Sequence, residues 1–196
     1  RRLSRPYVDM TLATMRHFGV PATFEEDVIH VPTVTLRASP FEMPMDWSAA
    51  AFWMEVMSLA DTGALELVGL HPGTGQGDEK AVEHWAPFLS MEEGPDGLLL
   101  HPDPVAHPIR HVDLQDTPDL FQPLAFTCAG RGIPATFTGL HNLPLKETDR
   151  LKATADALHS LGCKATFEDG VFAQNGSITM LSPPPFDPRG DHRMAM

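Results

Sequence analysis

The heptapeptide Gly19-Val20-Pro21-Ala22-Thr23-Phe24-Glu25 returns 143 positions later as Gly162-Cys163-Lys164-Ala165-Thr166-Phe167-Glu168. Gly69-Leu70-His71 returns after 70 positions as Gly139-Leu140-His141. One offset is about twice the other, so the chain reads as units of about 70 residues. Each unit reads as an opening helix, a strand, a second helix that crosses back, and a closing β-hairpin. Second helices are expected over roughly 7–18, 78–87 and 147–161. Hairpins are expected over 24–31, turning at Glu26-Asp27, over 91–100, turning at Pro95-Asp96-Gly97, and over 167–174, turning at Asp169-Gly170. Asp-Gly is a strong two-residue turn signal. Opening helices are expected at Asp46, near Pro118-Asp119 and at Asp191, each start carrying an aspartate suited to N-capping. The pattern predicts an α/β (α+β) chain of repeated βαβαββ units.

Within this frame the charges concentrate in Asn142-Leu143-Pro144-Leu145-Lys146-Glu147-Thr148-Asp149-Arg150. Leu151, Ala155, Leu158 and Leu161 behind it form one apolar helical stripe. Pro144 fits before the helix, where its missing N–H costs nothing. The cluster therefore sits at a helix N-terminus, which favours an anion. If the first turn is helical from Lys146, Lys146 and Arg150 share a face, and Glu147 beside them could move a proton. Taken alone, the stretch reads as a capped helix start with surface ion pairs. A second stretch of the same kind, Asp191-His192-Arg193-Met194-Ala195-Met196, closes the chain.

The 196 residues carry a formal charge of −12 at pH 7, which argues against a general nucleic-acid surface. It does not bar an anionic substrate, because a local group of lysines and arginines can dominate one cleft. Cys128 and Cys163 lack CxxC spacing and read as reduced, buried thiols. Nothing in the sequence resembles a signal peptide or an apolar run long enough to span a membrane, so a soluble, cytoplasmic protein is expected, or one in an organelle stroma after removal of a transit peptide. Gly73-Thr74-Gly75-Gln76-Gly77-Asp78 follows a strand and precedes a helix, as a phosphate-cradling loop does. It is neither G-x-G-x-x-G nor a Walker loop and reads as a turn plus cap. The ten histidines include no H-E-x-x-H, no metal site is expected, and residues 101–107 read as a proline-rich loop.

Lys146-Glu147-Thr148-Asp149-Arg150 and Asp191-His192-Arg193-Met194-Ala195-Met196 resemble the K-E-T-D-R and D-H-R-M-A-M signatures of the 5-enolpyruvylshikimate-3-phosphate synthase family. Further matches run in the same order. Ser4-Arg5-Pro6-Tyr7 resembles S-[KR]-P-Y, and Asp46-Trp47-Ser48-Ala49-Ala50 resembles D-x-S-[SA]-A. Gln76-Gly77-Asp78 and Pro118-Asp119 match Q-G-D and P-D. The two long motifs are specific; Q-G-D and P-D alone are weak.

The resemblance implies an enzyme, a 3-phosphoshikimate 1-carboxyvinyltransferase of the shikimate pathway of aromatic amino acid biosynthesis and the target of glyphosate. It would transfer the enolpyruvyl group of phosphoenolpyruvate to the 5-hydroxyl of 3-phosphoshikimate and release phosphate, with no cofactor. The implied catalytic residues are Asp119, as base, and Glu147, as proton shuttle. Ser4, Tyr7, Asp119, Asn142 and Lys146 would bind 3-phosphoshikimate, Arg150 and Arg193 would bind phosphoenolpyruvate, and His192 would support Glu147. Ser4 can instead be read as a simple N-cap and Tyr7 as a half-buried ring, and His192 reads equally as a helix-start histidine bonded to backbone. Asp149 and Asp191 read as structural, capping helices and holding the arginines.

The family fold has two domains, so residues 1–44 would finish the N-terminal domain and its hinge, and 45–196 would supply two units of the C-terminal domain plus the start of a third. Other family residues would then lie before Arg1 and beyond Met196. The chain is expected to be an internal piece, inactive by itself, of a protein that is monomeric at full length. Two alternatives stay open: the related transferase acting on UDP-N-acetylglucosamine, and a non-catalytic module with the same fold.

Overall fold

The computed structural model describes residues 4–105, 108–109, 111–180 and 182–196. It opens with helix α1 (Arg5–His17) and the hairpin β1 (Thr23–Glu25) and β2 (Val28–His30). Leu12, Val20 and Ala22 form a small core for this segment, with Val8, Met15 and Phe24 packed against it. The hairpin turns at Glu26 and Asp27, with φ of 46° and 70°, as a two-residue primed turn requires. Residues 31–46 then run without helix or strand.

Two longer units follow. The first comprises α2 (Trp47–Leu59), β3 (Leu65–Val68), a 3-10 turn (Gly77–Lys80) leading into α3 (Ala81–Trp85), and the hairpin β4 (Leu89–Glu93) and β5 (Gly97–Pro102). The second comprises β6 (His111–Asp113), a 3-10 turn (Pro118–Leu120) running into α4 (Phe121–Gly130), β7 (Ala135–Thr138), a 3-10 turn (Leu143–Leu145), α5 (Arg150–Ser160), and the hairpin β8 (Ala165–Glu168) and β9 (Val171–Gln174). Helix α6 (His192–Ala195) opens the next element. The two sheets have the orders β3-β5-β4 and β6-β7-β9-β8. Three strands of each unit therefore lie in the same spatial order, antiparallel throughout, while β6 adds parallel to β7. The second unit shows the whole βαβαββ pattern, and the first shows it without its leading strand among the described residues. The α/β class read from the sequence holds.

The repeated heptapeptides begin where a helix ends. Gly19 and Gly162 follow α1 and α5 with φ of 87° and 78°. The next N–H returns to a carbonyl five residues back, Val20 to Met15 and Cys163 to Leu158, both at 2.9 Å. This closure needs a left-handed residue, which glycine supplies without a Cβ clash. Ala22 and Ala165, three residues on, are buried and lead into β1 and β8. The sequence repeat is thus a repeat of one helix-to-strand connection.

Some boundaries differ from expectation. α5 starts at Arg150, not 147, because the Asp149 side chain accepts the Lys152 N–H and caps there, while Lys146 is extended with ψ −164°. Lys146 and Arg150 therefore do not share a helical face. The expected helix over 78–87 is one 3-10 turn and a five-residue helix. His101 lies in β5, paired with Ser90, rather than in a loop; residues 106 and 107 of that stretch lie outside the described residues. Asp46 and Asp191 cap α2 and α6, accepting the N–H groups of Ser48 and Arg193. Asp119 does not cap: no side-chain cap bond closes the 118–120 turn or α4.

The main core runs through both units. Trp47 and Met54 of α2 and Phe121 of α4 are fully buried, and Phe121 meets Phe137 and Phe172 edge-on at 5.6 and 4.9 Å, a favoured ring geometry. Burying α4 on this core fixes where the turn before it, and hence Asp119, must sit.

Candidate functional site

Three helix starts bring the charges together. Asp119 is the middle residue of the turn that feeds α4, Arg150 is the first residue of α5, and Arg193 is the second of α6. Arg150 Nε donates to Asp191 Oδ2 at 2.8 Å and Nη2 to Asp191 Oδ1 at 3.2 Å. Nη2 also donates to Glu147 Oε2 at 2.6 Å, and Nη1 to Asp119 Oδ1 at 3.1 Å. Lys146 Nζ lies 3.4 Å from Asp119 Oδ1, and Arg193 Nη2 donates to Asp119 Oδ2 at 3.3 Å. One carboxylate thus meets three cations. Lys146, Arg150 and Arg193 balance Asp119, Glu147 and Asp191.

The six groups divide by exposure. The side chains of Arg150 and Asp191 are 1 % and 0 % exposed, whereas Lys146 is 32 % and Arg193 13 % exposed. Burial alone would raise the Asp191 carboxyl, but hydrogen bonds from the Arg150 guanidinium and the Arg193 N–H outweigh it and hold Asp191 below the usual carboxylate range. Arg150–Asp191 is therefore a fixed internal frame. Lys146 and Arg193 hold Asp119 through longer contacts and remain reachable, so an incoming phosphate or carboxylate competes with Asp119 for them. Charge-assisted bonds from a guanidinium suit that exchange, since its fork fits either anion.

The other expected site residues are placed less uniformly. Ser4 has φ 57°, and its side chain forms no cap bond; its N–H donates to the Gln115 carbonyl at 3.1 Å. Tyr7 is taken up by a buried polar group: its hydroxyl donates to Asp78 Oδ2 at 2.9 Å. The Ser48 hydroxyl donates to the same oxygen, and the Gln76 amide joins Ser48 Oγ (3.1 Å) to Asp46 Oδ1 (2.8 Å). Burial, with the neighbouring Asp78 charge, pushes the Tyr7 hydroxyl well above its ordinary range, and burial raises the Asp78 carboxyl. Asn142 precedes the 143–145 turn, with a buried Oδ1 that has no hydrogen-bond partner. His192 is 66 % exposed and lies beside Asp191, its Nδ1 4.0 Å from Oδ1, while Glu147 is bonded to Arg150 instead. Asp149 and Asp191 do cap helices, and Asp191 holds an arginine.

Sequence reasoning alone does not point to Asp78 and Ser48 as site residues. Their signals were present, in Gln76-Gly77-Asp78 and Asp46-Trp47-Ser48, but each reads locally as a turn or cap. The glycine-rich loop before them is closed by its own acid. The Glu79 carboxylate accepts the N–H groups of Gly73 (2.8 Å) and Thr74 (3.2 Å), so those donors are not offered to a phosphate.

A family model described as EPSP synthase (3-phosphoshikimate 1-carboxyvinyltransferase) matches residues 2–196. A 3-phosphoshikimate 1-carboxyvinyltransferase of Bacteroides fragilis is 33% identical over 198 residues, covering 99% of this chain and 48% of its own length. One of Methanospirillum hungatei is 30% identical, covering 99% and 46%. The chain spans about half the length of the curated relatives it matches. Among solved structures, an EPSP synthase from Acinetobacter baumannii superposes with a TM-score of 0.67 at 22% identity, over 94% of this chain and 45% of that one. The enolpyruvyl transferase NikO from Streptomyces tendae gives 0.55 at 17%, over 87% and 40%. At those identities the superpositions speak to the fold.

Proposed function

The chain belongs to the EPSP synthase family, and from that membership we propose that the protein carrying it transfers the 1-carboxyvinyl group of phosphoenolpyruvate to the 5-hydroxyl of 3-phosphoshikimate, releasing phosphate. The observation that carries this reading is the meeting of Lys146, Arg150 and Arg193 on Asp119. Both substrates are anions, and the reaction needs fixed positive charge beside a carboxylate that can take a proton. Asp119 removes the proton of the attacking hydroxyl. Glu147, half exposed and 2.6 Å from Arg150, moves the proton that the methylene carbon of phosphoenolpyruvate must gain before phosphate leaves. Arg150 and Arg193 hold phosphoenolpyruvate. Ser4, Tyr7, Asn142 and Lys146 hold 3-phosphoshikimate, with His192 at the rim as support.

The core around Leu12 is separate from the one running through the two longer units, which supports a division near residue 44, with the leading segment ending one domain and the remainder belonging to a second. No helix among the described residues is long and apolar enough to cross a membrane, and the charge cluster is built within one chain. Both features fit a cytoplasmic protein that works as a monomer.

The test is phosphate release by the full-length protein with phosphoenolpyruvate and either 3-phosphoshikimate or UDP-N-acetylglucosamine. Turnover with the first acceptor alone is expected. Turnover only with the second, or with neither, overturns the reading.

A further inference from the structure

The leading segment is a small body with its own core, joined to the larger one through an irregular stretch, residues 31–46. The first turn of α1 fastens the two. Ser4 N–H bonds the Gln115 carbonyl, Tyr7 reaches Asp78 across 71 positions, and Pro6 packs so tightly on Gly77 that a Cβ there would lie 2.8 Å from the Pro6 Cβ. Asp78 is the centre of this junction. It is 0% exposed, and its Oδ2 accepts the hydroxyls of both Tyr7, from α1, and Ser48, from α2. Its Oδ1 has no hydrogen-bond partner. A buried carboxyl that accepts two hydroxyls from different elements on one oxygen holds those elements in register, because without it each hydroxyl loses the acceptor that ties its element to the other.

We propose that Asp78 is a positioning residue that latches the N-terminal end of α1 to the body carrying the charge cluster, and so sets Ser4 beside the 115–119 segment that presents Asp119. Asp78 touches no substrate in this arrangement; it acts through Tyr7 and the backbone of α1. The kinetic consequence rests on the acceptor-binding role proposed for Ser4, whereas the geometric consequence does not.

The test uses the full-length protein with nitroxide labels on cysteines at the exposed positions Ala13 and Glu83, the two native cysteines being buried. Asp78→Ala is expected to broaden the label-to-label distance distribution. It should raise KM for 3-phosphoshikimate about tenfold, the equivalent of about one net hydrogen bond, with KM for phosphoenolpyruvate within about twofold. Asp78→Asn keeps an oxygen for both hydroxyls and is expected to retain the narrow distribution and stay within about threefold in KM. An unchanged distribution in Asp78→Ala, an equal rise in both KM values, or an Asn variant as impaired as Ala overturns the proposal. Should Asp78→Ala fail to fold, Gly77→Ala leaves the carboxyl intact and wedges a methyl group against Pro6. It must give the same selective rise, and a silent Gly77→Ala overturns the proposal too. If the unaltered protein does not turn over 3-phosphoshikimate, the functional reading falls, and the label distances still decide the latch.

Discussion

Arg150 and Asp191, 41 positions apart in the chain, meet through two hydrogen bonds of 2.8 and 3.2 Å with both side chains closed to solvent. The same aspartate accepts the Arg193 N–H at 2.9 Å and caps α6. One carboxylate thus ties the start of α5 to the start of α6 and leaves the outer nitrogens of Arg150 directed at Asp119 and Glu147. The buried pair sets the geometry, and the more exposed Lys146 and Arg193 are free to answer a ligand.

Asp191→Ala should therefore act on stability before it acts on chemistry. It strands a buried guanidinium and removes a helix cap. Losing one partner of a buried ion pair costs about 3–5 kcal/mol. Denaturant unfolding of the full-length protein should show a loss of that size, and a loss under about 1 kcal/mol would mean that Asp191 is not the anchor of Arg150.

Glu55 of α2 faces a cavity of about 250 Å³ whose lining includes Phe52, Phe126, Phe186 and Met194. Burial there pushes its carboxyl up to about 8 from 4.5. Between those values the folded state keeps a proton that the unfolded chain has lost, so this group's contribution to stability is whole below about pH 4.5 and is lost as pH rises through 8. Asp191, held low, works the other way: its contribution is present above the ordinary aspartate value, 3.8, and is lost as pH falls below it. Glu55→Gln should flatten the decline of Tm between pH 5 and 8. Melting curves with the same slope in both proteins would remove Glu55 as its source.

The sequence shows its repeat because the helix ends demand it. Gly19 and Gly162 occupy left-handed positions that few other residues tolerate, so the constraint is local and leaves a spelling. Asp46 and Asp191 were legible for the same reason, since a cap is a contact over two residues. Asp119 stands at a helix start as those two do, but its carboxylate is turned to cations from α5 and α6, and nothing within a few residues of it distinguishes the two uses. Lys146 reaches Asp119 from an extended backbone rather than from a helical face, a route that the Asp149 cap imposes. The Tyr7–Asp78–Ser48 group spans three elements. Docking creates it, so no spacing in the chain announces it.

Asp119→Ala in the full-length protein should remove the base and leave Lys146, Arg150 and Arg193 without the carboxylate on which they meet. Turnover should fall by roughly two to four orders of magnitude, the usual worth of a positioned proton-transfer group. Phosphoenolpyruvate binding should hold or tighten, because the released cations are offered to it. Turnover within tenfold of the unaltered protein would take Asp119 out of the mechanism.

Arg150→Lys and Arg193→Lys should separate, although both arginines are assigned to phosphoenolpyruvate. Arg150 spends four hydrogen bonds on three carboxylates from a side chain 1 % exposed. A lysine ammonium cannot reproduce that fork, so the four hydrogen bonds to Asp191, Asp119 and Glu147 could not all be kept. The cost should appear as destabilisation of about 2–4 kcal/mol together with weaker ligand binding. Among the described residues Arg193 makes one side-chain hydrogen bond, at 3.3 Å to Asp119, and it is 13 % exposed. Its lysine variant should leave Tm nearly unchanged while weakening phosphoenolpyruvate by about 1–3 kcal/mol, the size of a charge-assisted hydrogen bond. Glyphosate should weaken alongside phosphoenolpyruvate, and 3-phosphoshikimate measured alone should barely move. Calorimetric titration and thermal unfolding of both variants decide the matter. If Arg193→Lys lost 3-phosphoshikimate affinity instead, or if Arg150→Lys matched it in stability, the division between a framing arginine and a ligand-facing one would be wrong.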